Sequence, residues 1–269
     1  MASNIKLYKK RYLCVLFFLF AQSFGYSATV KNQTNGIPTG MVKIPAGKYV
    51  LFFSDKEGKT AAVKSFYLDV NAVTNADFLQ FVKSNPRWSK SKVSKLFADA
   101  GYLQHWKGDF NVGNEKVKNS PVTNISWYAA TAYCKWKGKR LPTLNEWEYV
   151  GDAPALNNKN SIEKIILSWY SKPTPSVLPN VRSTFKNKFN VHDMHGLIWE
   201  WVSDFNSVIM TGDSRSNSAI NRDLFCASGS LGAVDKENYA AFMRFAFRSS
   251  LKAKYTVNNL GFRCAMDIN

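Results

Sequence analysis

Histidine and cysteine are both scarce in this chain of 269 residues, which has three of one and four of the other. Acidic residues are few as well, 19 against 36 Lys and Arg, so the formal net charge is +17. There is no Gly-rich phosphate loop and no arguable Ser-His-Asp arrangement. With 15 Gly and 9 Pro the chain cannot be collagen-like or low-complexity, and 14% aromatics excludes a disordered one. No apolar run reaches the roughly 20 residues of a spanning helix. A mean hydropathy of −0.26 excludes a polytopic membrane protein. What remains is length enough for one large domain or two small ones around a sizeable core. The positive charge points to an anionic partner and says nothing of fold.

The N-terminus reads as an address. Lys6, Lys9, Lys10 and Arg11 precede a short apolar run over 12–20, followed by Ala21-Gln22-Ser23-Phe24-Gly25. A basic head, a short apolar run and small residues two apart make a secretory signal peptide. We assign it to 1–25, with Ser27 and Ala28 as later cleavage positions. The expected location is periplasmic or secreted, by a bacterial Sec-type route. Cys14 sits near the start of the apolar run and is not a lipoprotein cysteine. Its loss with the leader leaves Cys134, Cys226 and Cys264. In an exported protein the default is one disulfide and one thiol, and spacing does not choose the pair.

Residues 26–40 read as a linker and 41–269 as one domain. Residues 41–53 alternate around Pro45-Ala46-Gly47, as a strand pair with a turn would. Phe66, Tyr67 and Leu68 make a short strand. Thr74 and Asn75 cap a helix with Phe78, Phe81 and Val82 on one face, and Ser126 caps another ending at Gly138. Thr143 and Glu146 form a capping box before a third. Between the first two helices, Lys83, Arg87, Lys90, Lys92 and Lys95 make either a solvated loop or a contact for an acidic partner. With Trp88 alone among them they are no nucleic-acid platform. Residues 151–188 read as loop and the last sixty as short strands with Gly turns. Short helices, short strands and ordered loops give an irregular α+β domain.

Several segments, in one order over 41–266, resemble the formylglycine-generating enzyme family, also called the sulfatase-modifying-factor domain. They include Val73-Thr74-Asn75, Ala132-Tyr133-Cys134-Lys135-Trp136, Arg140-Leu141-Pro142-Thr143, Asp193-Met194-His195-Gly196, Trp199-Glu200-Trp201 and Leu260-Gly261-Phe262-Arg263-Cys264. The resemblance implies a single domain related to the C-type lectin fold, with little regular secondary structure. Fold does not settle function. The family's oxidase binds copper(I) through two thiols, and soft thiolate suits that ion. Aligned back from Leu260, this chain has Arg244 and Arg248 on the family's arginines, but Asp235 and Ala240 at the thiol positions. Cys226 belongs to an earlier strand and cannot supply a pair. No copper and no formylglycine-generating activity are therefore expected.

The resemblance also implies a Cys134–Cys264 disulfide, closing a loop worth about 4–5 kcal/mol in the chain-entropy model. It implies a calcium loop with ligands Asp193, Gly196, Ile198 and Glu200, where hard oxygen ligands and two carboxylates would meet the ion. Leu197 stands where the family usually has Asn, between the ligands. A second family calcium loop, starting at Asn180-Val181, falls where this chain is shorter and is expected to be absent. Another branch of the family uses an iron site with helical histidines. His192 and His195 have i,i+3 spacing but no assured third ligand. Glu146 and Glu148 read as a cap and an anchor. Trp127, Trp136, Trp147, Trp199 and Trp201 read mostly as core. The expectation is a binding or accessory protein whose partner is a protein, a peptide or an anionic envelope component, not nucleic acid. Loops 151–188 and 205–221 would shape its surface. The rivals are a metal-dependent oxidase using His192 and His195, and a lectin-fold ligand-display protein.

Overall fold

Among the described residues, three small sheets and five α-helices are laid around a core of interlocking rings. The computed structural model describes residues 36–51, 59–156, 160–206 and 236–268. The leader and most of the linker, Cys226, Asp235 and nearly all of 205–221 lie outside the described residues. No helix among the described residues is long and apolar enough to cross a membrane.

Strands β1 (Met41–Ile44) and β2 (Gly47–Val50) both form. They do not pair with each other, contrary to the strand pair expected from 41–53. β1 lies antiparallel to β4 (Phe66–Asp69), Ile44 opposite Phe66. β2 pairs with β3 (Thr60–Val63). The alternation was right, but alternation does not choose a partner. Met41 and Ile44 are buried beside Phe66 and Leu68, and that burial decides it. β4 also takes the last strand, β7 (Ala265–Asp267), on its other edge. β5 (Trp199–Glu200) and β6 (Leu260–Gly261) form a parallel pair. In β6 no side chain can replace Gly261, because a Cβ there would run into the Val122 carbonyl oxygen.

Helix α1 (Asn75–Ser84) starts at a capping box of Thr74 and Asp77 and buries Phe78, Phe81 and Val82. α2 (Trp127–Trp136) starts at Ser126 and buries Ala129, Ala130, Tyr133 and Cys134. α3 (Leu144–Gly151) starts at the box of Thr143 and Glu146. Two helices depart from expectation. Ile162–Tyr170 is a helix, α4, inside the segment read as loop. Ser161 caps it, and Ile162 and Ile166, four apart, are its buried face. Lys236–Ser250 is the longest helix among the described residues, α5, where short strands were expected.

Inside, Phe78 stacks on Tyr133 at 5.8 Å, and Tyr133 meets Phe262 edge-on at 5.3 Å. Trp106 closes the cluster at 6.3 Å from Phe78. Buried Asn75 ties the rings to backbone. Its Nδ2 donates to the carbonyls of Val117 and Ser120 at 3.0 and 3.2 Å, and its Oδ1 accepts from Trp106 Nε1 at 2.9 Å. Cys134 and Cys264 are joined across the core, their Cα atoms 5.7 Å apart, linking α2 to the residue before β7.

Candidate functional site

Helix α5 carries Ala240, one of the two positions that the resemblance sets against the family's thiols. Asp235 lies outside the described residues. Ala240 is 1% exposed and packs with Ile162, Ile166 and Phe185, so α5 lies against α4 there. The cysteines of the described residues are joined to each other. Along the same helix Arg244 and Arg248, four apart, converge on Glu148 of α3. Arg244 Nη2 donates to Glu148 Oε2 at 3.0 Å, and Arg248 Nη1 donates to Oε1. Burial alone would raise the Glu148 carboxyl, but the two guanidinium groups outweigh it and hold it at about 2. It is an anchor, charged at any ordinary pH, and not a general acid. Glu146 caps α3 and pairs with Arg140 at 2.7 Å.

One layer deeper, Glu200 of β5 is fully enclosed. Arg263 forks onto it, Nε to Oε2 and Nη2 to Oε1, both at 2.8 Å. Trp147 Nε1 donates to Oε2 at 2.8 Å. Arg263 also reaches the His192 carbonyl at 3.0 Å. Arg248 lies over the Trp147 ring, 4.6 Å from its centre. Two buried ion pairs thus share one indole, with a guanidinium on its face and a carboxylate at its nitrogen. The tertiary pairing of these acids with arginines far along the chain is not visible in sequence. The i,i+4 spacing of Arg244 and Arg248 was the available signal.

The residues assigned to calcium can be placed against this network. Asp193, at φ 56°, accepts from the Thr184 amide at 2.9 Å, the Thr184 hydroxyl at 2.7 Å and the Arg182 amide. Gly196 turns at φ 97° with Thr184 against it. Ile198 is buried. Both Glu200 oxygens face a guanidinium, so a cation there would have to share them with a group of its own sign. Residues so engaged fit a lock of protein donors, and we derive no chemistry through an ion.

The histidines sit in separate surroundings. His195 is buried, donates from Nε2 to the Gly151 carbonyl at 3.0 Å and meets Trp147 edge-on at 5.3 Å. Burial, with Arg244 nearby, pushes it down to about 3, so it is neutral. His105 bonds the Asn75 amide at 3.2 Å, and burial lowers it to about 4. Burial lowers His192 as well. Among the described residues no three His, Cys, Asp or Glu side chains stand close enough to hold a metal.

Of the tryptophans, Trp147 and Trp201 are core. Trp199 stacks on Phe247 at 4.2 Å and on Tyr170 at 5.0 Å, filling the space between α4 and α5 with rings. Trp127 and Trp136 reach the surface of α2.

The model of the sulfatase-modifying factor enzyme 1-like domain matches residues 26–268. The chain belongs to this family. It is 26% identical to a formylglycine-generating enzyme of Mus musculus over 92% of this chain and 81% of that one. It is 25% identical to an inactive C-alpha-formylglycine-generating enzyme 2 of Bos taurus, over 86% and 89%. Among solved structures it resembles PvdO from Pseudomonas aeruginosa, at 20% identity and a TM-score of 0.47, over 85% of this chain and 94% of that one. Relatives named as a formylglycine-generating enzyme and as an inactive one thus both match most of this chain.

Proposed function

We propose that this chain is a binding or accessory member of the sulfatase-modifying factor family that does not make formylglycine. The observation that carries the reading is Ala240, a methyl group packed against α4 where the family's oxidase needs a thiol. With Asp235 at the other thiol position, no pair of thiolates is available for copper(I). The buried carboxylates of Glu148 and Glu200 are paired with arginines, which fits anchors rather than an acid or a base. The inactive relative in Bos taurus supports the idea that the fold persists without the oxidation. The basic leader over residues 1–25 supports export, and the excess of Lys and Arg supports a partner carrying negative charge.

The test is direct. Incubate the protein with copper and a peptide bearing the sulfatase cysteine motif, and follow the cysteine by mass spectrometry. The expected outcome is no conversion to the aldehyde, and turnover would overturn the reading. Asp235→Cys combined with Ala240→Cys is not expected to restore activity, because Ala240 faces Ile162, Ile166 and Phe185 rather than an open cleft.

A further inference from the structure

Helix α2 turns Tyr133 and Cys134 inward, and its opposite flank carries Trp127, Tyr128, Thr131, Lys135 and Trp136. The segment that follows α1 stands across from this flank. Between them is a groove of about 760 Å³, within the range of a ligand pocket. Its walls are rings: Phe81, Trp88, Phe97, Trp127, Tyr128 and Trp136. Phe97 and Trp136 are 44% and 39% exposed. Grouped apolar exposure of this kind marks an interaction site, whereas scattered single residues do not.

The groove is held open by its own bonds. Tyr102 donates to the Trp88 carbonyl at 3.0 Å. Lys90 donates to the carbonyls of Gln104 and Trp106. Ser91 donates through amide and hydroxyl to Asp109, which ties up that carboxylate. The cations Arg87, Lys92 and Lys135 line the groove, and no Asp or Glu among the described residues does. Arg87 lies 5.8 Å from the Trp88 ring centre. Trp88 Nε1 and Thr131 Oγ1, both in the walls, have no hydrogen-bond partner among the described residues. No residue of the groove belongs to the Glu148, Glu200 or Ala240 surroundings.

We propose that this groove receives a peptide segment of a partner protein, an aromatic or leucine side chain flanked by carboxylates. The rings would take the apolar side chain, and the basic rim would take the acids. The proposal rests on the binding reading above and names its partner's chemistry. A nucleic-acid strand fits less well, since strand binders run a charged track along successive bases and this is one slot. An anionic membrane needs rings that project, and these line a concavity.

The test uses the full chain and short fluorescein-labelled peptides read by anisotropy. One peptide carries a phenylalanine between aspartates. A second has lysines for the aspartates, and a third has alanine for the phenylalanine. The first is expected to bind, and each control to bind at least about tenfold more weakly, the effect of about 1.4 kcal/mol. Lys92→Glu combined with Lys135→Glu should weaken the first peptide by a similar factor. Both lysines are exposed, so this variant should melt close to the parent. Phe97→Ala, at an exposed ring, should weaken binding while leaving the salt dependence in place. Equal binding of the acidic and basic peptides, or an unchanged affinity after charge reversal, would overturn the proposal. So would an oligonucleotide or a phosphatidylglycerol vesicle that binds through the same lysines when the peptide does not. The copper assay is independent: aldehyde formation would end the non-catalytic reading without changing the anisotropy result, and the converse holds.

Discussion

At the scale of single residues, the candidate site is built from charges that cannot leave. Arg263 and Glu200 are both fully buried, and each is satisfied by the other and by backbone or indole. Breaking one partner of such a pair costs about 3–5 kcal/mol, because the survivor stays buried and unpaired. Glu200→Gln should therefore lower stability by that order in urea denaturation. Since protein donors hold both Asp193 and Glu200, chelation of the parent should leave its melting temperature unchanged. A rise in millimolar calcium, lost on Asp193→Ala with Glu200→Gln, would instead establish the ion. Acid should act through other groups. His195 has a folded value near 3, below its ordinary 6.5, so the unfolded chain takes up the proton first as pH falls. Stability should then drop from about pH 6.5 toward 3. His105, lowered to about 4, adds to this, and Glu148, held at about 2, extends the loss below 4.5. In His195→Gln the amide can still donate to the Gly151 carbonyl, and the decline between pH 6.5 and 4.5 should become shallower. An unchanged slope would show that His195 is not its source.

At the scale of elements, the caps were readable because they are local. Thr74, Ser126 and Thr143 each receive an amide from three residues on, and those helices start where the sequence places them. α4 was missed because its nine residues stand among Asn, Lys, Pro and Ser, and only Ser161 with Ile162 and Ile166 marked it. α5 was read as strands because its polar and apolar residues alternate, though they also fit a helix. Its two faces became distinguishable only against α3 and α4. The pairing of β1 with β4, far along the chain, likewise depends on which apolar strand is brought beside Met41 and Ile44. The Cys134–Cys264 link joins two such elements across 130 residues. Denatured, unreduced, leaderless protein should show one free thiol, Cys226, and Cys264→Ala should cost about 2–5 kcal/mol. Three free thiols, or a bridge to Cys226, would contradict the pairing.

At the scale of the whole molecule, motif order was enough to place the chain in its family, since family membership is carried by short local runs such as Trp199-Glu200-Trp201 and Leu260-Gly261-Phe262-Arg263. The same alignment placed Ala240 and Asp235 at the thiol positions and so pointed away from oxidation. Residues 83–95 showed their charge in sequence but not what it faces. By itself the sequence determined the caps, the class of fold and the basic charge, because each depends on residues close in the chain or on residue type alone. Only the tertiary structure decided which arginines neutralise Glu148 and Glu200, and that α2 and the segment after α1 stand apart as an aromatic groove. Those facts depend on side chains up to about a hundred residues apart, and no local pattern encodes which of them meet in a packed core.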